Sequence, residues 1–243
     1  STINNGEITS SSADNSDASS GASSSDGGFS LIKKPFDYQN LLISYADNII
    51  LPTYQNFELT LSKLSADVDV HCKTLAMGNA LEEASVQQGW REAMATWQRA
   101  ELMWVGPVAE SNNSLRNRIY SFATTAKADA CAIDIATIEH NQESLALAGR
   151  ANTVRGLDAL EYLFFESTLN TACSSVISQT ALWNTLPEST RQLQRCEFAQ
   201  AVVSDVLDNS HSLSTAWATN GDNYRSLFIN PNNAGPHLKA LSD

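Results

Sequence analysis

The sequence predicts an all-α protein, a helical bundle of long up-and-down helices that follows a disordered N-terminal tether. Apolar residues recur at helical spacing along most of the chain. Strand-like alternation is scarce, and no internal repeat of short period is found. Several amphipathic helices with modest connections bury their apolar faces against one another, which gives bundle packing. We divide the chain into a tether (1–30), the bundle (31–219) and an irregular C-terminal segment (220–243).

The tether is predicted from composition alone. The first thirty residues are rich in Ser, Gly, Asp and Asn, and they include four acidic residues but no Lys or Arg. Such a segment cannot bury enough apolar surface to offset the entropy cost of ordering it. An exported bacterial lipoprotein carries a tether of this kind just after its lipidated cysteine. We therefore expect contact with a membrane only through a lipid anchor upstream of Ser1.

Helical stripes place the elements of the bundle along the chain. Pro52 interrupts the first stripe and is expected to kink or break its helix, because proline removes a backbone donor and crowds the preceding turn. The second helix is expected to end before Gly106-Pro107, a helix stop followed by a residue that cannot continue it. The predicted helices cover about 35–73, 79–103, 113–126, 133–140, 144–166 and 187–219, with a further short helix at 174–183.

Charge and hydropathy exclude two classes of protein. The formal net charge is −12, with 27 acidic against 15 basic residues, and the longest basic run is Lys33-Lys34. Binding to nucleic acid needs clustered cations, so no nucleic-acid partner is expected. No stretch approaches the roughly 18 apolar residues of a membrane span. An acidic chain remains compatible with binding a cation.

The four cysteines, Cys72, Cys131, Cys173 and Cys196, predict two disulfides in an oxidising compartment. Their even number and wide spacing carry this prediction, because no C-x-x-C pair indicates a zinc or redox motif. Of the three possible pairings we favour Cys173 with Cys196, which would close the loop before the last long helix. Cys72 would then pair with Cys131. The alternative is four buried free thiols in a cytosolic protein.

Three carboxylates lie at or near apolar helix faces. At 100° per residue, Glu101 falls in the middle of a stripe of tryptophans and a methionine. Glu161 lies on the shoulder of a second apolar face, and Asp158 lies about 60° further round. The two stripes contain Trp90, Met94, Trp97 and Trp104 in the first, and Thr153, Leu157, Leu160 and Phe164 in the second.

A carboxylate that is buried alone is costly and needs a partner. One interpretation is a buried ion pair with Arg99, Arg150 or Arg155. The other is that all three carboxylates converge on a bound cation, as in bundles that carry metals on facing helices. No G-x-S-x-G, P-loop or dinucleotide fingerprint offers a different chemistry.

Four segments, in the right order, resemble the imelysin-like family. G-L-D-A-L-E-Y-L-F-F resembles the family signature, G-x-H-x-x-E followed by an aromatic and apolar run. W-Q-R-A-E-L-M-W-V-G-P resembles its tryptophan-rich helix ending in Gly-Pro, and Q-R-C-E-F-A-Q-A-V-V-S-D-V its helix opening with Arg-Cys. L-P-T-Y-Q-N-F resembles its kinked first helix. The similarity spans about 36–217.

The resemblance implies an exported all-helical protein of the periplasm or cell envelope, often a lipoprotein. Members are described as insulin-cleaving peptidases and as iron-regulated proteins, and the histidine and glutamate of the signature are treated as metal ligands or catalytic residues. Gly156 and Glu161 match the signature, whereas Asp158 stands where histidine is expected. Trp97 and Arg155 are expected to have structural roles. Members usually carry a further helical bundle, so we expect residues 220–243 to begin a second bundle that is truncated here.

Three functions are compatible with these residues. In the first, Glu101, Glu161 and Asp158 of an exported envelope protein bind a small ligand or a metal ion, in the context of iron, and no other cofactor is expected. In the second, Glu161 is the catalytic general base of an imelysin-type metallopeptidase and acts on a metal-bound water. Aspartate cannot act as a neutral imidazole ligand, so Asp158 argues against an ordinary zinc hydrolase site. In the third, the protein is a helical scaffold or partner-binding lipoprotein whose carboxylates pair with arginine.

Overall fold

The architecture was analysed in a computed structural model that describes residues 36–79, 83–122, 124–125, 127–233, 235–237 and 239. Every regular element in these residues is helical, which confirms the all-α bundle. The predicted tether (1–30) lies outside them. The α-helices are α1 (Tyr38–Tyr45), α2 (Leu51–Ala76), α3 (Ala84–Glu101), α4 (Glu110–Ile119), α5 (Ala130–Gln142), α6 (Gly156–Phe165), α7 (Glu188–Trp217) and α8 (Tyr224–Phe228).

The first long helix passes Pro52 without ending. Residues Ala46–Ile50 form a π-helical turn between α1 and α2, and the backbone N–H of Leu51 donates to the carbonyl of Ala46. Pro52 cannot donate to the carbonyl four residues earlier. The π-helical turn just before it lets the helical chain continue, so the predicted break does not occur at Pro52.

The core forms where α2 packs against α7 and α3. Tyr54, near the start of α2, lies beside Trp217 at the end of α7, with ring centroids 6.2 Å apart. Phe57 packs on Trp97, near the end of α3, with centroids 5.1 Å apart. The start of α2 therefore meets the ends of both neighbours, so the three helices run up and down. Trp97 is fully buried at this contact.

The bounds of several predicted helices differ from the structure. α4 runs from Glu110 to Ile119, whereas a helix was expected over about 113–126, and Ser111, Asn112 and Asn113 have positive φ within it. The helix expected over 144–166 begins only at Gly156, after a 3-10 turn at Asn152–Val154. Apolar residues such as Leu147 and Val154 are buried as predicted, but they lie in irregular chain rather than on a helix. The short helix expected over 174–183 is replaced by 3-10 turns at Ser178–Thr180 and Trp183–Thr185.

Both disulfides are present, but their predicted pairing is wrong. Cys72 pairs with Cys196, and Cys131 pairs with Cys173. Because α2 and α7 run in opposite directions, the end of α2 meets the start of α7, which brings Cys72 to Cys196. Cys173 instead lies in the connection that returns past the start of α5, where Cys131 is located. The first bond thus joins two core helices, and the second fixes a loop.

The C-terminal segment packs on the bundle. It contains α8 and a 3-10 turn at Pro231–Asn233. Another 3-10 turn, at Gly106–Val108, connects α3 to α4. Phe228 is fully buried, with its ring centroid 5.2 Å from that of Trp217, and His237 stacks on Phe228. These elements are too short for a periodic pattern to reveal them. Among the described helices, none is both long enough and apolar enough to cross a bilayer.

Candidate functional site

The signature segment begins with a buried ion pair that positions α6. Arg155 donates through Nε to Asp205 on α7 at 2.9 Å, and a second guanidinium nitrogen donates to the other carboxylate oxygen. Nη1 of Arg155 also donates to the carbonyl oxygen of Ala148 at 3.3 Å. Arg155 is only 2% exposed. It therefore pairs with Asp205 and with none of the three carboxylates considered from sequence.

Both the backbone conformation at position 156 and the atoms around it require a glycine. Its φ is +89°, and a Cβ at this position would lie 3.0 Å from the carbonyl oxygen of Ile119 and 2.9 Å from Oδ1 of Asp158. A positive φ is costly for residues with a side chain. The glycine thus lets α6 start against the end of α4, which brings Asp158 close to the connection between α4 and α5.

Asp158 holds both ends of that connection. Its Oδ2 accepts a hydrogen bond from the hydroxyl of Ser121 at 2.6 Å and another from the backbone N–H of Ala128 at 3.1 Å. The side chain is 7% exposed and lies in the first turn of α6, where the helix dipole favours a negative charge. Oδ1 is buried and accepts no hydrogen bond from the described residues. At the histidine position of the signature, the aspartate therefore fixes a loop.

Glu161 lies one turn further along α6 and is exposed. Within the described residues its carboxylate has no hydrogen bond and no ion pair. Partial burial raises the pKa of Glu161, and the negative charge of Asp158 raises it further. Both causes favour the protonated form. Among the described residues, Glu161 is thus the signature carboxylate without a hydrogen-bonding or charged partner.

Glu101 forms an ion pair with the guanidinium group of Arg116. Arg116 of α4 donates to Oε1 of Glu101 through Nε at 3.1 Å and through Nη2 at 2.9 Å. The same guanidinium lies over the ring of Trp104, 5.5 Å from its centroid. Because α3 ends at Glu101, Trp104 leaves the predicted stripe and is 49% exposed. The ion-pair interpretation therefore describes Glu101, with Arg116 in place of the three arginines named from sequence.

The charges of all three carboxylates affect Tyr120, a residue that no pattern in the sequence indicated. Its pKa is raised by burial and then by the charges of Glu161, Asp158 and Glu101, while Arg116 opposes them. Glu101 lines a depression with Trp104 and Arg116, whereas Asp158 and Glu161 line a different cleft. The charges of all three carboxylates therefore act on Tyr120, although the carboxylates do not share one pocket.

The Glu161 cleft, as we call it, lies between α5, α6 and the connection that precedes α5. Its volume is about 390 Å³. One wall is aromatic, because Phe122 is 61% exposed and its ring stacks on that of Tyr120 with centroids 6.0 Å apart. The lining residues are Phe122, Lys127, Ala128, Ala130, Ile133, Asp158, Glu161, Tyr162, Phe165 and Glu166.

A second buried ion pair supports the wall of this cleft from behind. Arg195 of α7 donates to Asp134 of α5 at 3.1 Å, and both side chains are almost fully buried. The hydroxyl of Tyr162 donates to Asp134 at 3.2 Å and accepts from Arg195 at 3.0 Å. Tyr162 follows Glu161 directly, so this network fixes the turn of α6 that carries the free carboxylate. Arg195 is the arginine of the Arg-Cys segment, and that resemblance to the family was the one feature of the sequence that could have indicated its role.

The described residues do not fit a resident metal centre. No three His, Cys, Asp or Glu side chains among them lie close enough together to hold a metal ion. The charge of Glu101 is neutralised by Arg116, and Oδ2 of Asp158 already accepts two hydrogen bonds. A hydrolytic metal site needs at least three protein ligands and an open position.

The fold defines the class of protein, an all-helical bundle, and an acidic and aromatic cleft lies along its α5 and α6 helices. The sequence model of the family described as Imelysin matches residues 50–242. The chain belongs to the imelysin family, whose members are typically exported proteins of the cell envelope. No curated protein and no solved structure matches the chain.

Proposed function

We propose that this protein is a ligand-binding protein of the cell envelope and that its ligand binds in the Glu161 cleft. The observation that carries the proposal is the state of Glu161. It is a carboxylate of the family signature, it borders a cleft, and it lacks a partner among the described residues. Partial burial also raises its pKa. A partly desolvated carboxylate gains most from a ligand that supplies a hydrogen bond or a positive charge.

Export and lipid anchoring belong to the same proposal. Two disulfides favour an oxidising compartment, and the composition of residues 1–30 favours a tether. A protein held in this way at a membrane surface can bind its ligand in the periplasm. Iron handling is the physiological context that the family suggests, and iron is accordingly one of the ligands to be tested.

The direct test compares a variant at the cleft with a matched exposed one. Glu161→Gln removes the charge from the cleft, whereas Glu143→Gln removes a charge from an exposed glutamate at the end of α5. We would screen the oxidised wild-type protein against small organic ions and ferric and ferrous iron, using thermal shift and amide NMR. The proposal expects a ligand that shifts cleft amides and whose binding is weakened by Glu161→Gln and unchanged by Glu143→Gln.

Iron is distinguished by elemental analysis of the same proteins with and without added iron. Retention that is lost in Glu161→Gln would assign the cleft to a metal ion. Ligand binding that responds equally in both variants, or that shifts no cleft amide, would contradict the proposed site.

A further inference from the structure

We infer that the ligand of the Glu161 cleft carries an organic cation, a primary ammonium or guanidinium group, next to an apolar part. This inference rests on the function proposed above and specifies the chemical class of the ligand. Three features of the cleft support it: an exposed aromatic wall, carboxylates on α6 without a cationic partner among the described residues, and a cation of the protein that already lies on the aromatic ring.

The aromatic wall is held in place and open to solvent. Phe122 is 61% exposed, and Tyr120 stacks behind it with an angle of 11° between the ring planes. Covering this exposed ring with the apolar part of a ligand would remove apolar surface from water. The ring faces carry negative electrostatic potential and therefore attract cations, with the strongest effect where water is partly excluded. Ile133 and two alanines add apolar surface beside the ring.

The wall formed by α6 carries negative charge without a matching cation. Among the described residues, Glu161 has no ion pair, and Asp158 accepts hydrogen bonds from one hydroxyl and one backbone N–H. More than nine tenths of Asp158 is buried, and its Oδ1 has no hydrogen-bond donor within the described part of the chain. Glu166 is also part of the lining. An anionic ligand would meet three carboxylates here, whereas a cation would be attracted.

The ammonium group of Lys127 already lies over the aromatic ring of the cleft. Among the described residues that line the cleft it is the one basic side chain, and its ammonium lies 5.6 Å from the centroid of the Phe122 ring. Lys127 is exposed, so its flexible side chain can withdraw into solvent. A ligand cation would take its place against the ring. Lys127 therefore competes with the ligand, and removing its charge should strengthen binding.

The cleft has the size for such a ligand. Its volume of about 390 Å³ lies at the lower end of the range for small-molecule sites. An ammonium group on a short aromatic or aliphatic body can reach Glu161 with its charge while its body lies along Phe122 and Ile133. The pairing of one polar anchor with an apolar wall gives both orientation and specificity.

The test is an amide NMR titration with 2-phenylethylammonium, its neutral analogue 2-phenylethanol and its acidic analogue phenylacetate, at constant ionic strength. The cation is expected to shift the amides of Phe122, Lys127 and Glu161 in a saturable manner, and the neutral analogue to bind about tenfold more weakly. Glu161→Gln should weaken binding of the cation by about tenfold. Lys127→Met, which keeps the apolar stem, should strengthen it about threefold. Glu143→Gln should leave it unchanged.

The outcomes separate this inference from the proposed function. If phenylacetate or the neutral analogue binds the cleft at least as tightly as the cation, the inferred class of ligand is wrong and the cleft remains the site. Weaker binding of the cation in Lys127→Met would also overturn the inference, because lysine would then be a ligand contact. If none of the three compounds shifts a cleft amide in the folded wild-type protein, the inferred class is wrong, and the ligand screen described above then decides the proposed site on its own.

Discussion

Asp158→Ala is the perturbation whose effect follows most directly from the structure. In the wild-type protein one carboxylate oxygen accepts hydrogen bonds from Ser121 and from the backbone of Ala128, at 2.6 and 3.1 Å. Alanine removes both bonds and leaves two donors without their acceptor. It also removes a carboxylate from the first turn of α6, where the helix dipole favours it.

The magnitude follows from these losses. A hydrogen bond to a charged group contributes about 1.5 to 3 kcal/mol, and part of the sum is returned because the carboxylate no longer has to be desolvated. We expect a loss of about 2 to 3 kcal/mol in the free energy of unfolding. For a domain of this size that corresponds to a decrease in Tm of roughly 4 to 12 °C.

The assay is urea and thermal denaturation followed by circular dichroism, with the disulfides oxidised. Asp158→Asn keeps one oxygen that can accept both bonds, and it should cost about 1 kcal/mol. Ser121→Ala removes one donor and should lie between the two. Asp208→Asn serves as the control, since Asp208 is exposed on α7, and a surface substitution of this kind stays within about 0.5 kcal/mol.

Hydrogen exchange adds a local measurement. The amide of Ala128 should exchange faster in Asp158→Ala, because it loses its acceptor. If Asp158→Ala unfolds within about 0.5 kcal/mol of the wild type, and the Ala128 amide keeps its protection, Asp158 does not hold the connection and our account of the signature position is wrong.

Three further predictions concern pH, covalent linkage and the backbone. The folded-state pKa of Glu161 is raised from about 4.5, so its contribution to stability is full below that pH and is lost as pH rises through the raised value. Glu161→Gln should therefore be more stable than the wild type near neutral pH by roughly a few tenths of a kcal/mol, with equal unfolding free energies in acid. A variant that is less stable than the wild type near neutral pH would contradict this. Replacing Cys131 and Cys173 by serine opens a loop with a sequence separation of 42 and should cost about 4 kcal/mol by the chain-entropy relation, measured by urea denaturation. No loss of unfolding free energy would contradict this stabilising role. Gly156→Ala should lower the unfolding free energy by about 1 to 3 kcal/mol, because it adds positive-φ strain and a contact with a carbonyl oxygen; an unchanged midpoint in the same assay would argue against this backbone conformation.

The long helices could be predicted from the sequence because their apolar stripes are continuous. The stripe of α7, which includes Val202, Val206 and Leu213, is buried along its length, and the predicted bounds of 187–219 nearly match the helix. The segment before α6 could not be resolved in this way. Buried apolar residues in irregular chain carry the same periodic signal as a helix over a few residues.

The partners of the carboxylates could not be predicted because they come from other parts of the chain. Arg116 reaches Glu101 from α4, and Asp205 reaches Arg155 from α7. Nothing in a one-dimensional pattern orders the candidate arginines by distance. The disulfide pairing failed for the same reason, since it depends on which helix ends meet in the antiparallel bundle.

The central claim is that the signature carboxylates have separate roles and that Glu161 is the partly desolvated one left to a ligand. Its most direct test is a pH titration of the Glu161 side-chain carboxyl carbon by NMR, in the wild type and in folded Asp158→Asn. We predict a wild-type pKa above the ordinary value of 4.5, and a lower pKa in Asp158→Asn because a neighbouring negative charge is lost. A wild-type pKa at or below 4.5 that does not respond to Asp158→Asn would contradict the account.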